Sequence, residues 1–222
     1  MKEGPPIENI EEFTAQTQRQ VFRGLSDYSY PLIPSIGRYA NCNLPDLARR
    51  EKSMLSLYRR FADPFLNRHD LTPFELLAVA QHHGLHTRLM DWTRNPLVAL
   101  FFAVRKNSDI DGAIVALDVT GAKMNAKGED PFAPSGDFWF WPDHVTPRIN
   151  AQSGLFSTQV NPLVAFEHTS LIKHRVPADA RRHFRVLLTK WGITEASMFP
   201  DLEGIAAMLN RNLEVRELFQ EP

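Results

Sequence analysis

Apolar residues between positions 44 and 65 (Leu47, Met54, Leu55, Leu57, Tyr58 and Phe61) recur every three or four places among charged ones. That is the period of an amphipathic helix with one buried face. A second helix is predicted from Thr72 to position 81 or 82. Thr72 is a good N-cap, Pro73 fits a first turn, Glu75 suits the positive end of the helix dipole, and Gly84 stops the run. A third opens at Asn95-Pro96 and is apolar nearly all round (Leu97, Val98, Leu100, Phe101, Phe102), with Ala99 and Ala103 small enough for close packing. Positions 20–24 read as a short strand ending in glycine. The unbroken apolar and β-branched run 113–119, after Asp111-Gly112, reads as a buried central strand.

The rest of the pattern is weaker. Residues 10–16 have helical spacing, 149–160 (broken at Gly154) and 163–166 suggest a further strand pair, and 183–188 fits a helix or a strand. A last helix follows the 193–204 stretch and runs through Leu209. Between the second and third helices, 86–92 reads as an irregular connection. Residues 121–143, rich in Gly, Pro and Asp, read as a long loop carrying Trp139 and Trp141, and 176–185 as a solvated connector. Together these elements predict an α+β fold: a single compact domain over residues 1–222 with a mixed, split central sheet flanked by helices.

Composition narrows the function classes. The 222 residues are 43% hydrophobic and 23% charged, ordinary globular usage, and the formal net charge of −1 supplies no global field to gather nucleic acid or anionic lipid. The single cysteine, Cys42, excludes an intrachain disulfide framework, and no motif around it marks a nucleophile. The apolar run 96–104 is far too short to span a bilayer, and residues 1–9 lack the pattern of a secretory signal, so the expectation is a cytoplasmic protein without a membrane partner.

The candidate chemistry is concentrated in a few strings: Phe22-Arg23-Gly24; Gln81-His82-His83-Gly84-Leu85-His86-Thr87-Arg88-Leu89-Met90-Asp91-Trp92-Thr93; the Asn95 to Ala103 helix; Arg148 to Phe156; and Phe199-Pro200-Asp201-Leu202-Glu203-Gly204. In this combination the chain resembles the FRG domain family of bacteria and phages, and the resemblance spans most of its length. The family often carries proline where His86 stands here. The order of the motifs is also similar to the ADP-ribosyltransferase layout, with Arg23, Thr93 plus the following helix, and Gln152 in its three places. That likeness implies a cleft for NAD, a toxin or phage-defence effector, and a target macromolecule or antitoxin as partner.

On that resemblance Arg23, Asp91, Thr93 and Gln152 are the candidate catalytic residues, and Arg23, Thr87, Arg88 and Trp92 the candidate cofactor-binding ones. A guanidinium is the planar cation a pyrophosphate wants, a threonine hydroxyl suits a ribose, and an indole can stack on nicotinamide. Gln152 is a neutral amide where an oxocarbenium-like state is better served by a carboxylate, a part Asp91 could take. Plainer roles stand beside each of these. Arg23 could pair structurally with Asp91, Trp92 could be core, and Arg148 with Gln152 could grip a phosphate or lie exposed. The run Phe138 to Trp141 could form a lid. His82, His83 and His86 raise a metal-dependent nuclease as an alternative, although Gly84 interrupts their helix and no metal is expected; a noncatalytic binding module is the other.

Overall fold

The computed structural model describes residues 1–15, 20–66, 68–106, 109–122, 130–142 and 147–214. In chain order the elements are β1 Lys2–Glu3, α1 Ile10–Ala15, β2 Gln20–Leu25, α2 Ser35–Tyr39, α3 Leu44–Ala62 with a 3-10 turn Asp63–Phe65, α4 Pro73–His82, β3 Met90–Thr93 and α5 Pro96–Val104. They continue with β4 Gly112–Asp118, β5 Phe138–Phe140, α6 Pro147–Ala151, β6 Gly154–Thr158, β7 Leu171–Val176, α7 Arg181–Lys190, α8 Glu195–Met198 and α9 Leu202–Glu214. The predicted end of the first helix, Gln16, lies outside the described residues, as do 123–129 and 143 of the predicted long loop.

The helix starts form where the sequence puts them. Thr72 and Glu75 make a reciprocal capping box, the Glu75 amide donating to Thr72 Oγ1 at 3.3 Å and the Thr72 amide to Glu75 Oε2 at 2.8 Å. Asn43 and Asn95 cap α3 and α5 through their side-chain oxygens. Helix α4 ends in a Schellman turn: the Leu85 amide bonds the Ala80 carbonyl at 2.9 Å, and Gly84 takes φ +91°, where a Cβ would be strained.

Among the described residues seven strands form one mixed sheet in the order β1-β7-β4-β2-β3-β6-β5, parallel between β1 and β7 and antiparallel elsewhere. Strand β4 is buried through Leu117, as a central strand covered on both faces must be. The split falls between β2 and β3, where pairing is a single residue pair, Phe22 with Thr93. Beyond it the Arg23 guanidinium, rather than a backbone amide, donates to the Asp91 carbonyl.

Alternation then sorts the faces. Phe22, Gly24, Asp91, Thr93 and Phe156 share one face, because Phe22 pairs with Thr93 and Asp91 with Phe156. Helix α5 covers the β2–β4 side of that face. It lies so close that a Cβ on Gly24 would stand 1.9 Å from the Ala99 carbonyl oxygen, so only glycine fits. Helices α3 and α4 cover the β6–β5 side, burying Phe74, Leu77 and Ala80 against Phe156. Between the two helix groups β3 is left as an open floor. The opposite face buries Val21, Leu25, Met90, Trp92, Trp139 and Phe166.

Several sequence expectations are corrected. Residues 86–92 are not wholly irregular, since Met90–Thr93 is a strand whose four residues are too few to announce a period of two. The suggested strand at 149–160 is a helix through Ala151 and a strand only from Gly154, and 163–166 is a loop in which the Gln159 amide donates to the Asn161 and Val164 carbonyls at 2.7 and 2.8 Å. The predicted loop 121–143 contains β5. The solvated connector is instead the end of β7 and the start of α7, with Arg181 1% exposed and its guanidinium donating to the Ser26 and Lys106 carbonyls at 2.6 and 3.1 Å. Strand β7 escapes the sequence pattern because Lys173, His174 and Arg175 look like a solvated face. Lys173 is nevertheless buried, with its ammonium donating to the Tyr30 carbonyl at 3.2 Å.

Candidate functional site

Over the floor of β3 lies a cleft of two lobes. The larger-walled lobe encloses about 260 Å³ between α5 (Val98, Phe102), α4 (Ala78, Gln81, His82), α6 (Arg148, Ile149) and Phe199. The second, about 280 Å³, is bounded by Arg38, Tyr39, Gly84, Leu85 and His86. Arg23, Gln81 and Asp91 line both, so they stand where the lobes meet.

Arg23 is held at this junction with its side chain 19% exposed, and its Nη1 lies 3.6 Å from Asp91 Oδ2. Its Nη1 donates to the Asp91 carbonyl oxygen, and Asp91, through this carbonyl and its carboxylate, is the guanidinium's partner among the described residues. Burial lowers the guanidinium's pKa from its ordinary value, Asp91 opposes this, and the nearby Arg38 charge adds to it. A largely buried guanidinium beside a second arginine has the charge and donor geometry that suit an anion. The predicted pair with Asp91 is real. Asp91, 62% exposed, also accepts from Gln81 Nε2 at 2.6 Å, and Gln81 Oε1 accepts from the Thr87 hydroxyl.

The other predicted site residues divide. Thr93 lines the cleft, but its hydroxyl donates to the Gln152 carbonyl at 2.7 Å and accepts from the Asn95 amide at 3.0 Å, so its single proton is used within the protein. Gln152 sits in the turn before β6 rather than on a strand, and its Nε2 donates to the Met198 carbonyl at 3.0 Å. Of the expected cofactor-binding residues, Thr87 and Arg88 line neither lobe, while Trp92 lines the larger-walled lobe with its ring engaged elsewhere. Thr87 is 1% exposed and tied to Ser35, Gln81 and Leu89. Arg88 is buried in a bidentate ion pair with Glu51 of α3. The Trp92 indole points through the sheet into the opposite core, where Nε1 donates to Ser157 Oγ at 2.8 Å and the ring packs edge-on to Trp139. Nor do Trp139, Phe140 and Trp141 of the aromatic run line the cleft: Trp139 is buried in that same core, Phe140 packs on Phe74, and Trp141 lies under the Arg94 guanidinium, while the Phe138 side chain is outside the described ones.

Further side chains from the motif strings complete the walls. Arg148 Nη2 donates to Asp201 Oδ2 at 2.6 Å and its guanidinium lies 4.7 Å over the Phe199 ring, so the C-terminal Phe199-Pro200-Asp201 string holds it at the cleft. His82 faces Arg148, and burial first, then the Arg148 and His83 charges, push its pKa down to about 4. Its rings do not converge with those of its neighbours. His83 packs edge-on to His82 while His86 stacks on Tyr39, and among the described residues no group of three or more His, Cys, Asp or Glu side chains could hold a metal ion. Arg38 escapes the motifs because nothing local marks an arginine in a five-residue helix, whereas Gln81 stands at the head of its string but has no role of its own there.

The His82 shift has a measurable consequence. Between pH 6.5 and 4 the unfolded chain holds the proton and the folded chain does not, so stability present above pH 6.5 is lost as pH falls towards 4. The melting temperature of His82→Gln is therefore expected to fall less steeply over that window than that of the wild type. Equal slopes would show that His82 is not buried as described.

Residues 18–112 match the family model of the FRG domain. Over this stretch the chain is similar to the FRG domain. The strings at 148–156 and 199–204, which share the resemblance in sequence, lie beyond the matched residues, although both form cleft walls and β6 completes the floor. No curated protein and no solved structure matches the chain. Within the matched stretch, Phe22 is core under α5, Arg23 is the guanidinium at the lobe junction, and Gly24 admits α5 to the sheet. No helix among the described residues is long and apolar enough to cross a membrane.

Proposed function

We propose that the cleft of this FRG-like domain binds a nucleotide with a pyrophosphate, NAD in particular, and works on it in the manner of an ADP-ribosyltransferase. The observation that carries the proposal is the Arg23 guanidinium, largely buried at the meeting of two lobes with Asp91 as its partner among the described residues. A pyrophosphate seated there leaves one nucleoside to each lobe. The larger-walled lobe offers the partly exposed Phe102, Ile149 and Phe199 to a flat ring. Asp91, the carboxylate of the cleft, stands beside Arg23 and is steadied by Gln81.

In such a transfer the bond between ribose C1′ and the nicotinamide nitrogen breaks, nicotinamide leaves with the electron pair, and an oxocarbenium-like ribose remains. An acceptor or water then adds at C1′ and gives up its proton. Asp91 is the side chain to stabilise the positive ribose, a duty Gln152 cannot perform as a neutral amide. Loss of NAD, or modification of a target macromolecule, would suit a toxin or phage-defence effector restrained by a partner.

The test is calorimetric titration of the full chain with NAD, followed by assay of released nicotinamide. Saturable binding is expected, weakened about 10- to 100-fold in Arg23→Ala, the range of a charge-assisted contact. Asp91→Asn should bind but release no nicotinamide. Failure of the folded wild type to bind NAD overturns the proposal. Binding without release by the wild type would favour a noncatalytic nucleotide-binding module, a second reading supported by the engagement of the Thr93 hydroxyl and the Gln152 amide inside the protein.

A further inference from the structure

The second lobe carries an aromatic platform that a pyrophosphate at Arg23 does not use. The Tyr39 and His86 rings stack at 4.2 Å between centroids and 23° between planes. Tyr39 remains 69% exposed, so the face turned away from His86 is open. A stacked, solvated tyrosine that buries no core and makes no other ring contact among the described residues has little structural purpose. Arg38, its neighbour in sequence, is exposed and its guanidinium has no ion-pair or hydrogen-bond partner among the described residues, yet its charge is felt at Arg23.

The platform is rigidly mounted. The Thr87 carbonyl accepts from the Ile36 amide at 3.1 Å and from Ser35 Oγ at 3.2 Å, while the Thr87 amide donates back to Ser35 Oγ at 3.1 Å. These bonds lock the short helix α2 to the segment bearing His86. On its other side α2 lies so near Pro162 that a Cβ on Gly37 would stand 1.8 Å from that residue's carbonyl oxygen. Two aromatic rings from separate parts of the chain are thus held in register, as a preorganised binding surface requires.

We propose that the Tyr39–His86 pair is the purine subsite of the cleft. It stacks the adenine of a dinucleotide, with Arg38 on the adenosine-side phosphate, and so fixes which end of the ligand enters which lobe. The proposal rests on the reading that the cleft takes NAD, and it adds the orientation: adenosine in the second lobe, nicotinamide riboside beside Asp91. A purine has the larger π-face and stacks without needing a hydrogen-bond partner, which suits an exposed ring pair.

The test is calorimetric titration of the wild type and of Tyr39→Ala and Tyr39→Phe with NAD, AMP and nicotinamide mononucleotide, each variant first checked by its melting curve. Tyr39→Ala should weaken NAD and AMP about tenfold or more and leave nicotinamide mononucleotide as in the wild type, while Tyr39→Phe should keep all three. If the wild type binds NAD and Tyr39→Ala binds AMP equally well, the subsite is refuted and the NAD cleft stands. Weakening of nicotinamide mononucleotide instead of AMP refutes the orientation. A wild type that binds none of the three refutes both.

Discussion

Glu51→Ala is expected to destabilise the fold by about 3–5 kcal/mol, the cost of leaving a buried charge without its partner. The Glu51 and Arg88 side chains are 3% and 0% exposed. Arg88 Nε donates to Glu51 Oε1 at 3.0 Å and Nη2 to the second oxygen, so each carboxylate oxygen answers one guanidinium nitrogen. Arg88 Nη1 has no partner even so, and the guanidinium lies 5.5 Å over the Phe132 ring. Removing Glu51 strands the whole cation among α3, α4 and that ring. Arg88 cannot escape to solvent, because the chain on either side is fixed at Thr87 and in β3. The check is urea unfolding of Glu51→Ala, Arg88→Met and the double variant. A double variant much less damaged than the sum of the single ones would identify an ion pair whose members matter chiefly to each other. A Glu51→Ala loss near zero would mean that the pair is not buried.

Gly24→Ala is expected to abolish the folded state or to destabilise it by more than about 3 kcal/mol, beyond the usual range for overpacking. The added Cβ would stand 1.9 Å from the Ala99 carbonyl oxygen and 2.8 Å from the Ala103 amide nitrogen. Both are backbone atoms of α5, so no rotamer change can relieve the contact, and moving α5 disturbs the core shared by Phe22, Val98, Leu100 and Ile114. Soluble yield and the circular-dichroism melt decide it; a melt within a few degrees of the wild type would show that α5 has room to retreat. The result bears on function as well, since α5 supplies Val98 and Phe102 to the cleft. In Phe22-Arg23-Gly24 the first residue anchors the helix, the third admits it, and the second is left at the lobe junction.

The sequence by itself determined those features whose physics is local. Asn43, Thr72 and Asn95 cap helices because a side-chain oxygen two or three residues from an unpaired amide is enough, and Gly84 ends α4 because only glycine takes that φ without strain. The uninterrupted apolar run of β4 announced a strand covered on both faces. Arg23 and Asp91 could be read as cleft residues, since the strings that hold them are distinctive.

Only the tertiary structure decided which members of the Gln81 to Thr93 string reach the cleft. Asp91, Trp92 and Thr93 are consecutive, yet the pleat sends the indole to the opposite core. Arg88 is claimed by a carboxylate 37 positions earlier in the chain, and Thr87 by a serine 52 positions earlier. Strand β7 was hidden by basic residues whose partners are backbone and carboxylate groups from distant segments. The cleft's walls at Arg148, Phe199 and Arg38 belong to segments far apart in sequence. A residue's neighbours in the chain fix its backbone, whereas its partners across the fold fix whether its polar atoms are free, and a binding site is made of the atoms left free.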